Sequence, residues 1–279
     1  MVSPDRRNFP VPAEPKGRRT SIMHRSSPIV WAHPRIVRYT DVTSRAHRRL
    51  HDLPELRDRT GVFAGRAEAG STLARMLEAY RNSDAIVMAI PAGGVPVGAV
   101  IARELDLGLD VAVVSKITPS WNSEVGYGAV AFDGTVRLNE ELLAGFGLSR
   151  REIEQGIAAT NRKVQQRVRL FRGDRRWPDV TNRTTILVDD GLASGFTMQV
   201  AAEALRNGGA SKILVAVPTA HGQAIRRLTD HVEAIYCANV RGGWSFAVAD
   251  AYRQWSDVGE DDAAGILKAF AGGPQAGEG

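Results

Sequence analysis

Residues 185–207 set the tightest limit on what this chain can fold into. Thr185-Ile-Leu-Val188 is an apolar run of strand length that ends abruptly in two carboxylates, Asp189-Asp190. Small residues follow, Ala193-Ser194-Gly195-Phe196-Thr197, and then a helical stretch to Asn207 that stops at Gly208-Gly209. A helix entered through such a turn aims its first N–H groups into the turn, and its dipole favours negative charge there. Gly195 permits the tight turn, while Ser194 and Thr197 add hydroxyl donors. The result is an anion cradle suited to a phosphate monoester. Asp189 and Asp190 cannot hold phosphate themselves, because like charges repel. They suit the two hydroxyls of a ribose, or a magnesium ion held through water. A phosphate beside a diol describes a ribose 5-phosphate. The plainer alternative is that paired aspartates cap a helix or sit in solvent. The whole run of strand, double acid, small-residue turn and helix is the more specific pattern.

The rest of the chain repeats the strand-then-helix rhythm. Helical spacing covers roughly residues 66–81, with Leu73, Leu77 and Tyr80 on one face. AIVMAI at 85–90 predicts a strand, followed by PAGGVPVG and a helix over 97–105. DVAVVS at 110–115 predicts a second strand. AVAF-DG-TVRL at 129–138 predicts a hairpin closed by a two-residue turn at Asp133-Gly134. Ser149 and Glu152 form a capping box opening a long helix. After the acid motif come a strand at 212–218, a helix at 222–231 and a strand at 234–238. Strands alternating with helices imply parallel crossovers, hence a doubly wound parallel α/β sheet. Ligands of such sheets bind beyond the carboxyl ends of the strands, which here means loops 91–96, 116–128 and 189–197.

Charge narrows the partners. The net charge is +5, but residues 1–50 hold 11 Lys and Arg against 3 Asp and Glu, and the rest is mildly acidic. That stretch lacks helical or strand periodicity and reads as a disordered basic tail. The basicity therefore disfavours nucleic acid as the partner of the folded part, expected at 51–262, with a flexible Gly-rich tail over 263–279. No run of 18 apolar residues occurs, so no membrane span is expected. The single cysteine, Cys237, cannot form an internal disulfide, which points to a cytoplasmic setting. It sits in a strand and reads as a core residue.

The segment at 186–198 resembles the phosphoribosyl-pyrophosphate signature of type I phosphoribosyltransferases. Around it, IPAGGVPVG, VVSKI, NSEVGYGAVA, LNEEL and VAVPTA look like a bacterial group of stand-alone phosphoribosyltransferases, over about residues 60–262. The resemblance implies transfer of phosphoribosyl from phosphoribosyl pyrophosphate to a small-molecule acceptor, with Mg²⁺ as cofactor. By position, Ala193, Ser194, Gly195, Phe196 and Thr197 would hold the 5-phosphate, and Asp189 and Asp190 the ribose and the metal. Ala92, Gly93 and Gly94 match the pyrophosphate loop, where relatives usually carry arginine in place of Ala92. Lys116 matches a cation that meets pyrophosphate, although alone it would read as a surface lysine. Residues 117–128, with Glu124 and Tyr127, match a flexible loop that folds over the site.

The acceptor pocket falls to a variable hood, for which the insertion at 139–178 and the stretch 241–255 are candidates. Trp244, Phe246, Tyr252 and Trp255 read as a packing cluster or as a stack for a flat base. Asn139, Glu140 and Glu141 either cap a helix or hold the loop. His221 follows a strand near the site mouth, without a second ligand at zinc spacing. The competing function is a non-catalytic regulator that senses phosphoribosyl pyrophosphate or a nucleotide. Dimers are common in the superfamily resembled.

Overall fold

Strands β1 (Leu50–Asp52), β2 (Ile86–Ala89), β3 (Gly108–Val111), β4 (Val114–Ile117), β5 (Gly128–Ala131), β6 (Val136–Leu138), β7 (Thr184–Val188), β8 (Lys212–His221) and β9 (Ala234–Arg241) sort into two sheets. The larger has the order β1-β9-β8-β7-β2-β3 and is parallel throughout. The smaller is the antiparallel β4-β5-β6. This computed structural model describes residues 49–122 and 125–272. The expectations for residues 1–48, Glu124 and 273–279 lie outside them.

Helices cover both faces of the parallel sheet, which is why its strands read as unbroken apolar runs. Val87, Ala89, Ile186, Val188, Leu214 and Ala216 face helices α1 (Arg66–Met76) and α2 (Gly94–Leu105). The intervening residues Ile86, Met88, Leu187, Ile213, Val215 and Val217 pack with Met198, Leu205, Ile225 and Leu228. The insertion after β6 supplies two helices, α3 (Glu140–Phe146) and α4 (Arg150–Arg172). The second opens on the expected Ser149–Glu152 capping box. Met198 and Leu205 lie on α5 (Phe196–Asn207), and Ile225 and Leu228 on the short α6 (Gly222–Leu228). None of the described helices is long and apolar enough to cross a membrane.

The strand order locates the crevice. From β2 the chain moves outward to β3, then returns to lay β7 on the other side of β2 and continues through β8 to β9. Loops leaving β2 and β7 therefore diverge at a topological switch point. Register Ala89↔Val188 brings the ends of these two strands level.

Several boundaries differ from the sequence reading. The expected strand at 110–115 is two strands in different sheets, with the chain changing sheets across Ala112-Val113. Both residues are buried, so hydropathy shows no break there. The hairpin turn is longer than two residues. Gly134 N–H donates to the Ala131 carbonyl, Ala131 N–H donates to the Thr135 carbonyl, and Gly134 takes φ +91°. The order does not end near Ala263: α7 (Glu260–Ala271) follows, burying Ala263 and Leu267. Those residues are one helical turn apart, and Glu260, Asp261 and Asp262 suit the first turn of a helix. Glycine content had masked that signal.

Candidate active site

The two diverging loops touch. After β2 the chain turns through Pro91-Ala92-Gly93, with a cis Pro91–Ala92 peptide, into α2. A Cβ on Gly93 would collide with the Asp190 carboxylate. One on Gly94 would lie 2.6 Å from the Val188 carbonyl and 2.9 Å from Asp189 Cα. Glycine is required here for close approach. Gly93 and Gly94 thus meet Asp189 and Asp190.

The turn after β7 is fastened on three sides. Leu192 N–H donates to Thr219 and His221 N–H donates to Leu192, both at 2.9 Å, so the turn borrows a rung from β8. Arg227 Nη1 donates to the Ser194 carbonyl. Gly195 adopts φ +75° as the residue before α5, and a Cβ there would press on the Ala224 carbonyl at 3.2 Å. Ser194 Oγ accepts from Phe196 N–H at 3.3 Å. The first-turn N–H groups of a helix have no intrahelical acceptor. Ala193 to Thr197 therefore form the helix-entry turn that the sequence described.

The acid pair is asymmetric. Asp190 N–H donates to Asp189 Oδ1 at 2.9 Å. Burial, and then the adjacent Asp190 charge, push the Asp189 carboxyl well above the usual range. Asp190 is instead held by Arg66, whose Nε and Nη2 donate to Oδ2 at 3.0 and 2.8 Å. Arg66 Nη1 donates to the Ser256 carbonyl at 2.8 Å, and its guanidinium lies 4.0 Å from the Trp255 ring. Tyr252 Oη donates to the Asp190 carbonyl at 2.6 Å. Burial, followed by the Asp190 charge, raises the Tyr252 phenol. Sequence reasoning missed Arg66. The available signal was its place in the first turn of α1, where a cation opposes the helix dipole and needs a partner elsewhere.

Lys116 sits exposed on β4 in the antiparallel sheet, with Gly126 close over its aliphatic stem. Arg167 of α4 ties this sheet to the glycine loop. Its Nη2 donates to the Pro91 carbonyl at 3.0 Å, while Nη1 reaches Val114 O and Ser115 Oγ at 3.4 Å. Arg167 too was unseen in the sequence.

Tyr127 is a correction. It is not an exposed loop residue but is buried, packed edge-on against Phe146 at 6.3 Å. Its hydroxyl fills the space that a side chain at Gly156 would need. An aromatic among glycines reads as a loop residue, yet its ring is the plug between β5 and α4. Glu124 lies outside the described residues.

The aromatic segment divides. Tyr252 packs, with Trp255 beside it at 5.0 Å, and Phe246 meets the His221 ring at 5.6 Å. Trp244 is fully exposed. His221 caps α6, with Nδ1 accepting from Gln223 N–H at 3.4 Å. Asn139 caps α3 by accepting from Leu142 N–H.

At the switch point of the parallel sheet, a glycine turn packs against an acid pair, the arrangement of an α/β domain whose loops meet beyond the strand ends. The phosphoribosyl transferase domain family matches residues 64–251, and the chain belongs to that family. Two curated Mycobacterium tuberculosis proteins, MT0597 (strain CDC 1551 / Oshkosh) and Rv0571c (strain ATCC 25618 / H37Rv), are provisionally named phosphoribosyl transferases. Each is 30% identical over 206 residues, 74% of this chain and 46% of its own length. The chain thus spans about half the length of these relatives. The crystal structure of TT1426 from Thermus thermophilus superposes with a TM-score of 0.63 at 30% identity, covering 75% of this chain and 99% of that one.

Proposed function

We propose that this chain transfers phosphoribosyl from phosphoribosyl pyrophosphate to a nitrogenous acceptor, releasing pyrophosphate, as a cytoplasmic enzyme of nucleotide metabolism. The observation that carries this reading is the direct contact between Gly93 and Asp190 across paired strands. It sets a loop of backbone donors beside a pair of acids, with a helix-entry turn one step further on. In this reading Ala193, Ser194, Gly195, Phe196 and Thr197 bind the 5-phosphate, and Asp189 and Asp190 bind the ribose hydroxyls. Ala92 and Gly93 offer backbone N–H groups to the diphosphate, and Lys116 is the cation assigned to it. Gly94, whose N–H is taken by the Ile90 carbonyl at 3.0 Å, gives the room for close approach.

The bond from C1 to the diphosphate oxygen breaks as the acceptor nitrogen bonds C1, and the nitrogen's proton passes to solvent. Asp189 and Asp190 favour the positive charge that develops on the sugar. Among the described residues no three His, Cys, Asp or Glu side chains cluster as a metal site. The two carboxylates nonetheless offer the hard oxygen donors that a cation shared with a diphosphate requires. Mg²⁺ held there would neutralise charge on the leaving group.

Asp190→Asn is expected to cut pyrophosphate release by about a hundredfold, the scale of losing one electrostatic contact made in the transition state. A coupled pyrophosphate assay over purine and pyrimidine bases reads this, and unchanged turnover would sink the assignment. Ala92, standing where the family resemblance leads one to expect an arginine, favours one second reading: a regulator that binds phosphoribosyl pyrophosphate without turnover. Titration calorimetry with phosphoribosyl pyrophosphate and Mg²⁺ beside the same assay separates the two, since the regulator binds and releases nothing.

A further inference from the structure

All three guanidinium nitrogens of Arg66 are engaged, two of them by one member of the acid pair. Two of its nitrogens bind Asp190 Oδ2, the third binds the Ser256 carbonyl, and its plane lies over Trp255. The side chains of Arg66 and Asp190 are only 12% and 15% exposed. Arg66 is also delivered to this place by backbone pairing. Gly61 N–H donates to Asp250, Phe63 N–H to Ala251, Arg253 N–H to Phe63 and Gln254 N–H to Ala64. This short ladder fixes the residues just before α1 against the segment that carries Tyr252 and Trp255. The glycine loop bounds Asp190 on another side, where the carboxylate fills the space that a side chain at Gly93 would need.

We infer that Arg66 is a positioning residue for the sugar site, an inference that rests on the functional reading above. It holds the Asp190 carboxylate in one rotamer against the glycine turn. It also cancels one of two adjacent negative charges where an anionic sugar phosphate must enter. Asp189 and Asp190 without Arg66 would repel the ligand's phosphates as well as each other. With it, the pair keeps its hydrogen-bond acceptors for the diol at a smaller electrostatic cost.

The test is a double-mutant cycle on the full chain, with titration calorimetry of phosphoribosyl pyrophosphate and Mg²⁺ as the readout. Arg66→Met is expected to weaken binding about tenfold or more, and Asp190→Asn to weaken it measurably. In the Asp190→Asn background, Arg66→Met is expected to change affinity by less than about twofold, because its effect passes through that carboxylate. Arg66→Lys, which keeps the charge without the fork, is expected to fall between wild type and Arg66→Met. If Arg66→Met does not fold by circular dichroism, Arg66→Lys replaces it in the cycle. Binding by Arg66→Met within twofold of wild type overturns the inference alone. So does an equal penalty in both backgrounds, which would assign Arg66 to holding the chain segment rather than the acid. No binding by wild type, or no change on Asp190→Asn, overturns the functional reading and this inference with it.

Discussion

Gly93 and Gly94 are neighbours with different obligations. The atoms that a side chain on Gly94 would strike are backbone, the Val188 carbonyl and Asp189 Cα. Those atoms are pinned in the sheet, so Gly94→Ala must shift a strand end. It is expected to destabilise by about 1–3 kcal/mol, read as a lowered urea midpoint with an unchanged slope. Gly93→Ala instead meets the end of the Asp190 side chain. The same urea experiment should show the smaller loss, while affinity for phosphoribosyl pyrophosphate falls by more than it does in Gly94→Ala. A larger stability loss at Gly93 would refute this ordering. On the proposed function, two adjacent residues would thus separate a packing duty from a ligand duty.

At the scale of elements, the sequence told most where one strand fed one helix. The acid strand, its turn and α5 were legible because a strand, two acids, glycine and a helix occur in immediate succession. The two arginines that organise the site were not legible, because each acts across long sequence separation: Arg66 on Asp190, Arg167 on Pro91. Tyr127 misled for a related reason, since a plug and a loop residue have the same neighbours in sequence. The small sheet was half visible. Its hairpin announced itself through Asp133-Gly134, but its first strand was fused by hydropathy to β3. What anchors the insertion at that junction is Arg172, buried at the end of α4 and bound to Asp110 of β3, with its guanidinium 3.9 Å from the Trp177 ring. Removing one member of such a pair strands the other charge in the interior. Arg172→Met is expected to cost about 3–5 kcal/mol in urea unfolding, and the double change Arg172→Met with Asp110→Asn to cost less than the single one. A single substitution within about 0.5 kcal/mol of wild type would show the pair to be idle.

The whole molecule carries its own reporter of opening. Cys237 is the only cysteine of the chain, lies on β9 between β1 and β8, and is fully buried. Burial pushes its thiol well above the ordinary range, so almost no thiolate exists in the folded state at pH 8. Labelling by an aromatic disulfide reagent should therefore proceed at the rate of unfolding and rise with urea. Rapid labelling in water would mean that the sheet opens locally. A second whole-molecule consequence comes from the ladder between residues 61–64 and 250–254. A polypeptide leaving the ribosome exposes Arg66, then Gly93, then Asp190, long before Tyr252, Trp255 and Ser256 exist to complete the clasp. Translation therefore delivers the acids before the segment that steadies them, and the site is complete only when residues 61–66 and 250–256, the most distant parts of the matched domain, first meet.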